Sequence, residues 1–150
     1  MRRVLCVVWM IAGWCAVPGA QERQQPRDCP DGRAPAGDLG ISGLLCTGGS
    51  CAIYVRDGRG YRHQLSTEPR VFGVQEDGPS AGLVRENDVV VAIDGTLITT
   101  PAGGRRLAQI DAGQKVELWL RRDGRDLAVS VTATYGCGFT SLRVRAAGST

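Results

Sequence analysis

Gly78-Pro79-Ser80-Ala81-Gly82-Leu83 is followed, three residues on, by Asn87-Asp88-Val89-Val90-Val91-Ala92-Ile93-Asp94-Gly95. Five apolar residues in a row, three of them valine, predict a buried strand at the centre of a sheet. Asn87 tolerates the positive φ that a sharp entry into that strand needs. Asp94-Gly95 predicts a tight turn at its exit. Upstream, Asp77-Gly78-Pro79-Ser80 predicts the cap of a short helix over Ala81-Gly82-Leu83, with Pro79 in its first turn. Val89, Val91 and Ile93 are expected on one side of the sheet, covered by Leu83 and Leu107.

Outward from this stretch the chain reads mainly as strands. Thr96 to Ile98 is a brief strand, and Thr99 or Thr100 caps a helix that starts with Pro101 and runs to about Ile110. Val116 to Leu120 and Leu127 to Thr132 alternate around Arg122-Asp123-Gly124-Arg125, the pattern of a hairpin. Towards the N-terminus, Arg70 to Gln75 is a strand. Ala52 to Arg56 and Tyr61 to Leu65 form a second hairpin around Asp57-Gly58-Arg59-Gly60, and Leu39 to Cys46 is a short apolar strand. The second hairpin is expected to be solvated, with ordinary cross-strand pairs.

The 150 residues, 43% hydrophobic and 22% charged, suit one compact domain with an aliphatic core. Of the 18 basic residues 17 are arginine, yet the net charge is only +3. It falls to +1 beyond residue 20, because Arg2 and Arg3 are the only charges before it. Such a balance carries no electrostatic footprint for nucleic acid. Arg2-Arg3, an apolar run from Val4 to Val17, and Pro18-Gly19-Ala20 before a polar stretch predict a secretory signal peptide over residues 1–20. The 14-residue run is shorter than the ~20 residues of a spanning helix. No membrane association is expected once the signal is removed. Residues 21–36, with three prolines, read as a polar linker or arm. Residues 37–134 are the expected domain, with an inserted hairpin over 47–68, and 135–150 is a tail.

Export makes the cysteines beyond the signal an oxidised set. Cys29, Cys46, Cys51 and Cys137 allow three pairings, and spacing alone does not choose among them. A zinc site is not expected, since Cys29 and Cys137 are isolated and His63 is the sole histidine.

The Gly78–Leu83 and Asn87–Gly95 runs, with Ala112-Gly113-Gln114-Lys115-Val116 and Arg121-Arg122-Asp123-Gly124 at matching distances, resemble a bacterial PDZ domain. Asp38-Leu39-Gly40-Ile41 stands where that family keeps its carboxylate-binding loop. The resemblance spans residues 37 to 134. It implies an α+β fold: a small, partly open β-barrel or sandwich of five to six strands plus the inserted hairpin, capped by two helices. The loop comes first and the strand at Leu127–Thr132 last, the circularly permuted order of periplasmic bacterial proteases, here without a protease domain. That order places Cys29 beside Cys137 and implies that they pair. Cys46 and Cys51, flanking a short turn, are then expected to pair with each other.

The resemblance further implies a module that binds protein C-termini or extended peptides by adding them as a strand. The expected binding residues are Leu39, Gly40, Ile41, Ser42, Gly43 and Leu44, facing a helix wall at Gly103, Gly104 and Leu107. Amides of Leu39, Gly40 and Ile41 would hold a terminal carboxylate. Gly40 would keep the approach clear, and Leu39 and Ile41 would line an apolar pocket. Asp38 would repel the carboxylate unless Arg27 or Arg33 offsets it. Gly103-Gly104 is poor helix, and close packing against the sheet explains it best. An adaptor or regulator is expected, with an exported protease or its substrate as partner and no cofactor or metal. The location is periplasmic or extracellular, in a bacterium. The alternative is a structural domain that docks a partner through another face.

Catalysis is not expected. One histidine cannot make His-Glu-x-x-His, and Gly40-Ile41-Ser42-Gly43-Leu44 lacks the second glycine of a nucleophile elbow. Lys115 begins a strand, and four oxidised cysteines leave no thiolate.

Overall fold

The computed structural model describes residues 29, 35–48, 50–57, 60–138 and 142–145. The expected signal, most of the linker, Arg27, Arg33 and Phe139 lie outside the described residues. The strands are β1 (Ala36–Asp38), β2 (Ile41–Thr47), β3 (Cys51–Asp57), β4 (Gly60–Leu65), β5 (Arg70–Val74), β6 (Val89–Ile93), β7 (Thr96–Leu97), β8 (Lys115–Arg122), β9 (Arg125–Thr132), β10 (Thr134–Gly136) and β11 (Leu142–Arg145). One helix, α1 (Pro101–Ala108), lies between β7 and β8.

The main sheet runs β11-β2-β5-β6-β8-β9, with β7 beside β6. β1 pairs with β10, and β3 with β4, as separate two-stranded ribbons. The sheets do not close into a barrel. The architecture is compatible with a PDZ-like β-sandwich. β8 and β9 pair without a break from Lys115↔Thr132 to Arg122↔Arg125. Their two-residue loop, Asp123-Gly124, takes positive φ at both positions, which matches the twist of the strands. Val116, Leu118 and Leu120 turn inward from β8 while Lys115, Glu117 and Trp119 face solvent. The inward set joins Leu44, Val71, Val90, Ile93, Ile98, Leu107 and Val131 in a single core.

The expectation of two capping helices is corrected. After Gly78 the chain makes only turns: Ala81 N–H reaches the Gly78 carbonyl, and Leu83 and Val84 both reach Ser80. Gly82 then takes φ 74°, which no right-handed helix continues through. The expected cap at Asp77–Ser80 therefore opens turns and no helix, because the glycine stops the right-handed run within its first turn. Leu83 consequently points outward, 42% exposed, and does not cover the sheet. A register shift between Val90 and Ala92 breaks the expected alternation of β6. Val90, Ala92 and Ile93 are buried, whereas Val89 and Val91 are half-buried. The real helix is capped by the Thr100 hydroxyl, which accepts from Gly103 N–H at 3.1 Å, and it ends at Ala108, short of Ile110.

The inserted hairpin is not simply solvated. β4 lies along α1, and His63 and Leu65 are buried, 1% and 3% exposed. A Cβ on Gly104 would run into the His63 carbonyl oxygen, and one on Gly103 into the Leu97 carbonyl. The glycine pair therefore lets the helix approach β7 on one side and β4 on the other. This sets up an opposition of signs for Gly104→Ala. Helix propensity alone would stabilise the fold by roughly 0.8–1.0 kcal/mol. The collision with backbone should instead cost about 1–3 kcal/mol. We expect net destabilisation in urea titrations; a gain in stability would mean that β4 does not rest on the helix.

Candidate functional site

The loop at Asp38–Ile41 joins β1 to β2. Gly40 takes φ 72°, and a Cβ there would stand 2.8 Å from Pro79 Cδ and 2.9 Å from Gly78 Cα. The Gly78-Pro79 turn thus supports the loop from beneath. Gly40 is required by that contact and by its φ, so its substitution would disturb folding as well as any ligand. The Gly40 carbonyl accepts from Gln75 N–H at 2.8 Å, tying the start of β2 to the end of β5.

The Gly40 N–H is already engaged. It donates to Asp38 Oδ1 at 2.7 Å, an Asx turn that places the chain's own carboxylate on the amide expected to hold a ligand's. Burial raises the Asp38 carboxyl above its ordinary range, outweighing the hydrogen bonds from Gly40 and from the Gln75 side chain. A Cβ on Gly136 would stand 2.7 Å from both Asp38 Cβ and Oδ2, so the absence of a side chain there makes room for the carboxylate. β10 pairs Thr134 with Asp38 across β1. One residue beyond β10, Cys137 is bonded to Cys29 with Cα atoms 5.5 Å apart.

Leu39, Ile41, Leu44 and Leu107 are all drawn into the core, none more than 4% exposed. Gly43, Gly103 and Gly104 are buried, and Ser42 is half-buried beside Gly73. The outer side of β2 carries a strand: β11 runs parallel to it, from Leu142↔Leu44 to Arg145↔Thr47. A second disulfide, Cys46–Cys51, closes the turn from β2 to β3. A cavity of about 300 Å³ opens between β4 and the start of α1, lined by His63, Leu65, Thr100 and Pro101 among others. Among the described residues, no group of three acidic, histidine or cysteine side chains is placed to hold a metal. No described helix is long and apolar enough to cross a membrane. Two disulfides fit an oxidising compartment outside the cytoplasm.

Sequence reasoning marked Asp38 as a neighbouring charge and missed it as the occupant of the loop. The Asp-x-Gly spacing was the available signal. It missed β11 because four residues of alternating arginine and aliphatic type announce no partner, and it missed the burial of β4 because the contact is with a distant helix.

No protein-family model matches the chain, and no curated protein matches it in sequence. Solved structures do resemble it in part. The HtrA-type protease AlgW with decapeptide is 22% identical, with a TM-score of 0.45 over 69% of this chain and 30% of the other. The serine endoprotease from Yersinia pestis is 22% identical, with a TM-score of 0.44 over 70% of this chain and 31% of that one. AlgW with tripeptide is 19% identical, with a TM-score of 0.42 over 71% and 34%. The chain thus spans about a third of the length of the solved chains it matches.

Proposed function

We propose that this protein is an exported, non-catalytic binding module of PDZ type that takes up an extended segment of a partner protein along β2. The observation that carries this reading is the pairing of β11 on the outer edge of β2. An edge that holds a four-residue strand by its main chain is one that an extended segment can occupy. Main-chain hydrogen bonds supply affinity in such a site, and side-chain contacts supply preference. Residues 1–20 act as a signal peptide, and the mature chain works in the periplasm or the extracellular space of a bacterium. Its partner is an exported protease or a substrate of one. The absence of catalysis is supported by the placement of the sole histidine, His63, with its ring in the protein interior.

A second reading, docking through another face, is favoured by the contact of β4 with α1, which covers the helix wall expected to clasp a peptide. One experiment separates them. Peptides selected from a random decapeptide library are added to the oxidised protein, and backbone hydrogen exchange is followed. Strand addition should slow exchange at Ile41–Gly43, ahead of the stretch of β2 that β11 pairs. Protection confined to the β3–β4 hairpin would favour docking and overturn the β2 reading.

A further inference from the structure

The position a terminal carboxylate would take is already filled from within. Asp38 Oδ1 sits 2.7 Å from Gly40 N, and the side chain carrying it is not free to swing aside. It is packed against Gly136, where even a methyl group would collide with it. Its backbone belongs to β1, paired with β10, and the Thr134 hydroxyl reaches its carbonyl at 3.5 Å. The Cys29–Cys137 bond closes the same corner. A second carboxylate brought to the Gly40 amide would share the site with the first, and two carboxylates so placed disfavour each other's charge.

The strand that β2 holds is consistent with this. β11 runs parallel to β2, so its C-terminal end, Arg145, lies opposite Thr47. That is roughly 20 Å from the Gly40 end of the strand at ~3.3 Å per residue. Ala146 follows Arg145 in the chain. The resident strand therefore runs with its C-terminal end, Arg145, pointing away from the loop.

Resting on the reading of β2 as a peptide site, we infer that Asp38 is a built-in carboxylate that sets the specificity of that site, so that it takes internal extended segments in place of free C-termini. Asp38 is a specificity determinant that acts by occupying the loop.

The test uses one random decapeptide library prepared twice, with free C-terminal carboxylates and as amides, and the full oxidised chain with and without Asp38→Ala. The native protein should bind the amides at least as tightly as the acids. Asp38→Ala frees the Gly40 amide and should make the acids at least tenfold tighter than the amides. Asp38→Asn keeps an acceptor on that amide and should retain the native indifference. A purely structural role for Asp38 would weaken both forms equally in the alanine variant, which would overturn the inference. A native protein that prefers acids tenfold overturns it as well, whether or not the variants fold. Absence of binding by every protein to either form would remove the β2 site itself, and the inference with it.

Discussion

Replacing Cys29 and Cys137 together by alanine is expected to cost up to about 4.7 kcal/mol, the chain-entropy value for a loop of ~100 residues. The two are 108 residues apart in sequence and joined in the structure. Domains of this size are typically stable by about 5–15 kcal/mol, so the loss would leave the variant marginal. Cys46 and Cys51 are only five residues apart, and the same treatment gives their bond roughly 2 kcal/mol. Urea titrations of the two double variants should therefore rank Cys29/Cys137 as the more damaging. The reverse ranking would show that the long bond does not constrain the unfolded chain. Local damage should follow the same order. β1 and β10, three residues each, form a separate two-stranded ribbon whose end that bond closes, and Asp38 rides on β1. Hydrogen exchange at Ala36–Gly40 should accelerate in the Cys29/Cys137 variant before it does so in β6 or β8.

The second large effect is expected at Asp88. Its side chain is 1% exposed and takes Arg122 Nη2 at 2.7 Å. Arg122 Nε reaches the other carboxylate oxygen at 2.7 Å, Arg85 N–H donates at 2.8 Å, and Arg122 also reaches the Leu83 carbonyl at 2.8 Å. One pair of side chains thus ties the turn after Gly78 to the end of β8. Arg122→Leu leaves the carboxylate buried without its cation and should cost about 3 kcal/mol, the lower end of the range for such losses, because Arg122 is itself partly exposed.

The pH dependence should change sign with it. In the native protein burial pushes the Asp88 carboxyl up, but the hydrogen bonds from Arg122 and Arg85 and their charges outweigh it and hold the carboxyl below its ordinary range. A lowered folded-state value gives stability that is present above the unfolded carboxyl value, ~3.9, and lost as pH falls through the folded value beneath it. In Arg122→Leu burial acts unopposed by the guanidinium, and the carboxyl should rise above the unfolded value. Its contribution to stability would then grow as pH falls through that raised value. Denaturation midpoints between pH 2.5 and 7, compared between the two proteins, read this directly. Parallel pH profiles would mean that Arg122 does not set the Asp88 charge.

Most of the sheet was legible because its signals are local and repetitive. The apolar run of β6 and the alternation of β8 and β9 around Asp123-Gly124 state strand, face and turn within a few residues. The Thr100-Pro101 start of α1 is equally local. Where local signals compete, the reading slipped: Pro79 and Ser80 announce a helix that Gly82 stops. β1 and β10 were not legible, since three-residue strands containing glycine have no period to detect, and each exists because the other lies beside it.

By itself, then, the sequence determined the strands with strong alternation, their turns, the oxidised cysteine set and the approximate place of the loop. All of these follow from side-chain periodicity, backbone restrictions and composition over short spans. The tertiary structure alone decided that β4 lies on α1, that β11 takes the edge of β2, and that Asp38 closes the loop from inside. β4 and β11 meet partners distant in the chain. Asp38 meets Gly40 two residues away, yet what holds it there, β10 and Gly136, lies almost a hundred residues further on. Contacts of that kind depend on which backbones approach closely enough, and close approach is set by the packed whole rather than by any window of residues.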